Sequence, residues 1–188
     1  MMDRAEEHMK EFLQEVLGDL SPDMELTPHR FTKAFYEMTS GYREDPERIL
    51  GRQFLVKHDE MIVVSGIEFV SLCEHHLLPF IGVAHVGYLP ENRIIGLSKI
   101  PRLVQCFAKR LQLQERLTNQ VATALMTYLM PLGAGVLIES QHSCMRCRGI
   151  KSNATMKTSC MLGHFRDNHA MRQEFLDLAK TSWMSNIR

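Results

Sequence analysis

Met61-Ile62-Val63-Val64, Ile67-Glu68-Phe69-Val70 and Phe80-Ile81-Gly82-Val83-Ala84-His85-Val86-Gly87-Tyr88-Leu89 are extended apolar runs rich in β-branched residues. The Pro90-Glu91-Asn92-Arg93 turn that follows predicts strands joined by tight connections. Working outward, the preceding third reads as helix. Met9, Phe12, Leu13, Val16, Leu17 and Leu20 recur at helical spacing until Gly18 and Ser21-Pro22 end the segment. Thr27 as N-cap and Pro28 at the first position open a second helix, with Phe31, Ala34, Phe35 and Met38 on one face and Gly41 as its stop. After the strands, Ile100, Leu103, Val104, Phe107 and Leu111 mark one helix and Leu117, Val121, Ala124, Leu125 and Tyr128 another. Pro131, Gly133 and Gly135 close that pair. Gly135 to Ser140 returns to strand, a polar strand-like segment runs from Thr155 to Ser159, and Met171 to Trp183 reads as a last helix. This order predicts an α+β fold with an antiparallel sheet, helices over one face, an N-terminal helical segment over residues 1–50 and one structural unit over 51–188.

The 188 residues carry 22 Lys+Arg against 22 Asp+Glu, a formal net charge of zero. No long-range positive field is available, which argues against a nucleic-acid-coating role. Charge or glycine interrupts every apolar stretch, so neither a membrane span nor a signal peptide is read. Five unevenly spread cysteines do not make a disulfide framework, and a reducing cytoplasm fits them best.

The chemistry concentrates in Cys73-Glu74-His75-His76 and His142-Ser143-Cys144-Met145-Arg146-Cys147. Thiolate sulfur and imidazole nitrogen are zinc ligands, and a catalytic zinc keeps three protein ligands and one open position. Cys73, His76 and Cys144 can supply such a set. If the second cluster is extended, His142 and Cys144 share a face and Cys147 points away. The alternative is a closed structural site of Cys73, His76, Cys144 and Cys147. His75 and His142 favour the open site, since a hydrolytic centre needs proton donors and acceptors.

Two further features bear on ligands. Gly96-Leu97-Ser98-Lys99-Ile100-Pro101-Arg102 places Ser98 at a helix start with Lys99 and Arg102 close by, a cradle suited to polyphosphate, and Arg148 is a further cation. Gln114-Glu115-Arg116 reads first as a polar helix start. In a functional reading, Glu115 accepts hydrogen bonds from the N1–H and 2-amino group of a purine, which selects guanine over adenine.

Taken together, Thr27-Pro28-His29-Arg30, Ser71 to His76, Gly87-Tyr88-Leu89-Pro90, Ile95 to Ile100, Leu113 to Thr118 and His142 to Met145 with Arg148-Gly149 resemble the GTP cyclohydrolase I family. They run in order from about residue 27 to Glu174-Phe175-Leu176. The resemblance implies the tunnelling fold, in which subunits join their sheets into rings and two five-membered rings stack as a homodecamer. It implies a catalytic zinc on Cys73, His76 and Cys144, and hydrolysis of GTP to 7,8-dihydroneopterin triphosphate with release of formate. By position it implies proton transfer for His75 and His142 and guanine binding for Gln114 and Glu115. Triphosphate binding falls to Lys99, Arg102 and Arg148, a ribose and phosphate contact to Ser98, and a phosphate contact from a neighbouring subunit to Arg30. Cys147 departs from the family pattern, in which a small residue is usual.

Three rival readings differ in chemistry. An inactive structural-zinc protein of the same fold would keep the ligands and lose turnover. A thiol enzyme resembling the nitrile reductases of 7-deazaguanine metabolism would need an unliganded nucleophilic cysteine. A zinc nucleobase deaminase would need His-x-Glu before Pro-Cys-x-x-Cys, and Ser143 precedes the Cys144–Cys147 pair here.

Overall fold

The computed structural model describes residues 2–180, and the chain divides into two compact units, residues 1–40 and 41–188. The first holds α1 (Met2–Leu17) and α2 (Thr27–Met38). Thr27 lies inside α2 rather than capping it: Leu26 is the N-cap and makes no side-chain bond. Pro28 needs no helical N–H partner in the first turn, so it still fixes where the helix begins. His29 Nδ1 lies 3.0 Å from Glu6 Oε1, which ties α2 to α1. The apolar stripe of α1 runs from Met9 to Leu17, with Leu20 past the helix end, and Phe12, Val16 and Leu17 are exposed.

The second unit runs α3 (Pro46–Leu50), β1 (Gln53–Leu55), β2 (Ile62–Cys73), β3 (Pro79–Leu89), β4 (Arg93–Ile95), α4 (Lys99–Ala108), β5 (Leu111–Gln112) and α5 (Gln114–Tyr128). It continues through β6 (Gly133–His142), α6 (Ser143–Arg146), β7 (Thr155–Gly163), α7 (His164–Asp167) and α8 (His169–Leu178). Leu111, read as the end of a helix face, sits in a strand instead. Asn168 caps α8 by accepting from the Ala170 and Met171 N–H groups, so this helix starts before Met171. The expected extension to Trp183 lies outside the described residues.

The two runs at 61–64 and 67–70 belong to one strand. The register slips between Val64 and Ile67, and Gly66 at φ +71° supplies the left-handed residue of a β-bulge. The five-stranded sheet has the order β5-β2-β3-β6-β7. Its long neighbours are antiparallel, as expected, but β5 pairs in parallel with the end of β2, Cys73 opposite Gln112, so the sheet is mixed. β1 and β4 form a separate antiparallel pair.

Helices cover both sheet faces rather than one. Ala84, Val86 and Tyr88 of β3 and Ala134, Val136 and Ile138 of β6 share a core with Leu103 and Val104 of α4 and Leu117, Val121 and Leu125 of α5. On the opposite face Leu89 and Met161 pack with Phe165 of α7 and Phe175 of α8. Gly87 makes that contact possible, because a Cβ there would meet the Phe175 ring at 2.7 Å. The β2–β3 turn, the start of α5 and the end of β6 meet at one rim of the sheet.

Candidate active site

At that rim, one ligand-type atom from each of Cys73, His76 and Cys144 lies within 4.8 Å of the others. Cys73 ends β2. Its carbonyl accepts from the His76 and Leu77 N–H groups, and its N–H donates to the Leu78 carbonyl. Leu77 takes a left-handed conformation, φ +55°, to complete this tight reversal. His76 is thereby folded back so that Nδ1 lies 3.7 Å from Cys73 Sγ.

Cys144 arrives by a route that strand alternation does not describe. β6 stops at His142, and Cys144 lies in the helical turn α6. One residue later on this turn is exposed surface, and Cys147 stays out of the cluster, with its thiol donating to the Ser143 carbonyl at 2.8 Å. Positions 144 and 147 are three apart on a helical turn and lie on neighbouring faces, so it is the bond to the Ser143 carbonyl that turns the Cys147 thiol away. Burial pushes the Cys144 thiol above its ordinary pKa, and the neighbouring Cys73 thiol pushes it the same way. Two sulfurs with an imidazole are a donor set that fits zinc.

His142 is held on two sides. Its ring stacks on Phe80 at 4.5 Å between centroids and 4° between planes, and its Nε2 lies 3.0 Å from Gln114 Oε1. The Gln114 amide nitrogen donates to the carbonyls of Ile138 at 3.1 Å and Met156 at 3.2 Å and to Thr158 Oγ1 at 3.1 Å. Carbonyls only accept, which fixes the amide's orientation. Gln114 Oε1 therefore faces His142 as an acceptor, so Nε2 carries the hydrogen and Nδ1 is left with its lone pair. Ser140 donates to the same Oε1 at 2.5 Å. Burial holds the His142 imidazole below the usual histidine range, while the Glu115 carboxylate nearby pulls it the other way.

Gln114, named with Glu115 for guanine binding, commits its side chain to this network. The residue is 1 % exposed and its amide group is fully engaged, so toward a ligand it offers at most the backbone N–H of a first helical turn. Glu115, beside it, is exposed and near His142. His75 is exposed, with Nε2 3.8 Å from Glu74 Oε1. Arg148 is close enough to Cys144 to lower its pKa.

Ser98, Lys99 and Arg102 lie at the start of α4, and Ser98 is its N-cap without a side-chain bond. Among the described residues no side-chain hydrogen bond or ion pair engages Lys99 or Arg102, and nothing joins them to the cysteine–histidine cluster. Arg30 lies on α2, in the first unit. The sequence reading passed over Glu74 and Arg116, which form a two-pronged ion pair next to Cys73 in the chain, with N–O distances of 2.6 and 2.8 Å. It also passed over Phe80, Ser140 and Thr158. Sequence spacing holds no signal for partners this far apart.

Fold and site together define an α+β protein with a Cys2His metal-type centre flanked by a positioned histidine and a free carboxylate. The family model for GTP cyclohydrolase I matches residues 5–180. The GTP cyclohydrolase 1 of Campylobacter lari is 46% identical over 187 residues, covering 97% of each chain. That of Alkalilimnicola ehrlichii is 48% identical over 186 residues, 96% of this chain and all of its own. The Chlorobaculum tepidum protein of that name is 50% identical over 155 residues, 81% of this chain and 69% of its own. Among solved structures the chain is similar to the apo archaeosine synthase QueF-Like, with TM-score 0.48 and 15% identity over 57% of this chain and 97% of that one. The chain belongs to the GTP cyclohydrolase I family of enzymes.

Proposed function

We propose that this chain is a zinc-dependent GTP cyclohydrolase I, opening the imidazole ring of GTP hydrolytically, releasing formate and yielding 7,8-dihydroneopterin triphosphate. The observation that carries the reading is the meeting at one rim of the Cys73, His76 and Cys144 donors, the oriented His142 and the exposed Glu115. Cys73, His76 and Cys144 would hold the zinc, and Cys147, turned to the Ser143 carbonyl, leaves the fourth position to water or substrate. When bound there, zinc supplies a Lewis acid that makes water nucleophilic near neutral pH. The open set counts against a purely structural zinc, and the engagement of both thiols counts against thiol catalysis.

This chain's residues then supply orientation and protons. Glu115 accepts from the guanine N1–H and 2-amino group, which presents the C8 edge to the metal side. His142, its Nε2–H committed to Gln114, exchanges a proton with the imidazole ring of the base through Nδ1. His75, exposed to solvent, serves the later transfers of ring opening and ribose rearrangement. Lys99, Arg102 and Arg148 bind the triphosphate and Ser98 the ribose and phosphate region, with Arg30 contributed by a neighbouring subunit.

The same reading takes the assembly to be a homodecamer of tunnelling-fold subunits in the cytoplasm. Supporting it are the outer edge of β7, which pairs with no strand among the described residues, and Leu55, Leu97 and Ile150, each more than 70% exposed. The five free thiols suit a reducing compartment. No described helix is long and apolar enough to cross a membrane.

Glu115→Gln tests the base anchor. A neutral amide cannot accept both guanine donors, so kcat/KM for GTP is expected to fall by at least 100-fold, about 2.7 kcal/mol or more. An undiminished rate would overturn the assignment. Sedimentation of the same preparations tests the assembly, and an active monomer would contradict it.

A further inference from the structure

We propose that Arg116 and Glu74 are positioning residues that set the span between the metal-bearing turn and the base-binding start of α5. The inference rests on the proposed function and adds to it two residues that function left unused. Glu74 directly follows Cys73 in the reversal that brings His76 back to it. Arg116 directly follows Glu115. The guanidinium donates to both carboxylate oxygens, Nη1 to Oε2 at 2.6 Å and Nη2 to Oε1 at 2.8 Å. This fork-on-fork geometry fixes angle as well as distance, which a single charged contact does not. The backbone repeats the connection, with the Glu74 N–H donating to the Gln112 carbonyl at 3.0 Å and Cys73 paired with Gln112 across the parallel bridge.

Both side chains are partly solvent-exposed, at 42% and 27%, so the pair adds little to global stability. Its location gives it a different use. A guanine held at Glu115 by its pyrimidine edge must reach the metal side with C8, at the opposite end of the purine. The distance between those two ends is the distance between the α5 start and the Cys73–His76 turn, and the Glu74–Arg116 fork joins those two pieces of chain. Misplacement of a reacting atom by about 1 Å costs on the order of 100-fold in rate.

Arg116→Lys keeps the charge and loses the fork, and Arg116→Gln loses both. Each variant is expected to keep its zinc content and Tm while kcat for GTP falls tenfold or more, with a smaller change in KM. The exchanged pair Glu74→Arg/Arg116→Glu is expected to recover part of the loss seen in either single variant. Without substrate, amide hydrogen exchange at residues 74–78 is expected to quicken in Arg116→Gln while the protection of β3 and β6 holds. Wild-type kcat in both Arg116 variants, zinc loss parallel to the loss of kcat, or unaltered exchange at 74–78 would each overturn the positioning role. The exchange result stands whatever the turnover, so a wild-type chain that leaves GTP intact would strike the proposed function alone.

Discussion

Gln114, Glu115 and Arg116 are consecutive, yet their side chains go to three places: into the protein beneath His142, out to solvent, and across to the turn that carries Cys73. A helix start allows this, because successive residues point about 100° apart. The sequence offered Glu115 as a polar helix start first and as a guanine acceptor second, and the structure places its carboxylate in solvent near His142. Gln114 was not legible, because its partners, the Ile138 and Met156 carbonyls, Ser140 and Thr158, come from strands 24 to 44 residues away. Gln114→Leu would strand the His142 Nε2–H, the Ser140 hydroxyl and two carbonyls in a buried setting. A loss of about 2 kcal/mol or more is expected in urea unfolding, together with a lower kcat as His142 loses its fixed tautomer. A variant of wild-type stability would show that the network carries no weight.

Elements were readable by type and less so by extent. Two apolar runs flanking Ser65-Gly66 looked like two strands because the bulge interrupts the alternation, and only the pairing with β3 shows that one strand continues through it. Cys144 was placed in the cluster on an argument of strand alternation, and the structure puts it there by the α6 turn, which four residues of sequence could not distinguish. His85, opposite the bulge, shows what the bulge costs. It is 1 % exposed, its Nδ1 lies 3.4 Å from the Gly66 N–H, and its Nε2 has no partner among the described groups. Burial lowers its pKa, with Glu139 acting in the opposite direction and Lys157 reinforcing the shift. The folded state therefore binds fewer protons than the unfolded one once pH falls below the unfolded value of about 6.5. Stability contributed by neutral His85 is full above that pH and declines toward the lowered folded pKa, with a slope of at most ~1.4 kcal/mol per pH unit. In His85→Phe the acid limb of a stability–pH curve between pH 4 and 6.5 is expected to flatten, and an unchanged slope would place the titration elsewhere.

At the scale of the whole molecule, the order of motifs from Thr27 to Arg148 made the family legible before any geometry. The 22-to-22 charge balance excluded a basic surface and hid the distribution of its cations, Lys99 and Arg102 on α4 and Arg148 in the loop after α6. How those cations meet one triphosphate was not readable, because among the described residues the single chain leaves the β7 edge unpaired and Leu55, Leu97 and Ile150 exposed, and the proposed site draws on more than one subunit. The proposed function ties residue, element and assembly to hydrolysis at a metal held by Cys73, His76 and Cys144. The direct measurement is formate release from GTP by the zinc-loaded chain, followed beside fluorescence of the oxidised pterin and repeated with Cys144→Ala. The account predicts formate and pterin in equal amounts from the wild-type chain, with loss of both zinc and turnover in the variant. Absence of formate from the zinc-loaded wild-type chain, or equal rates in Cys144→Ala, would contradict it.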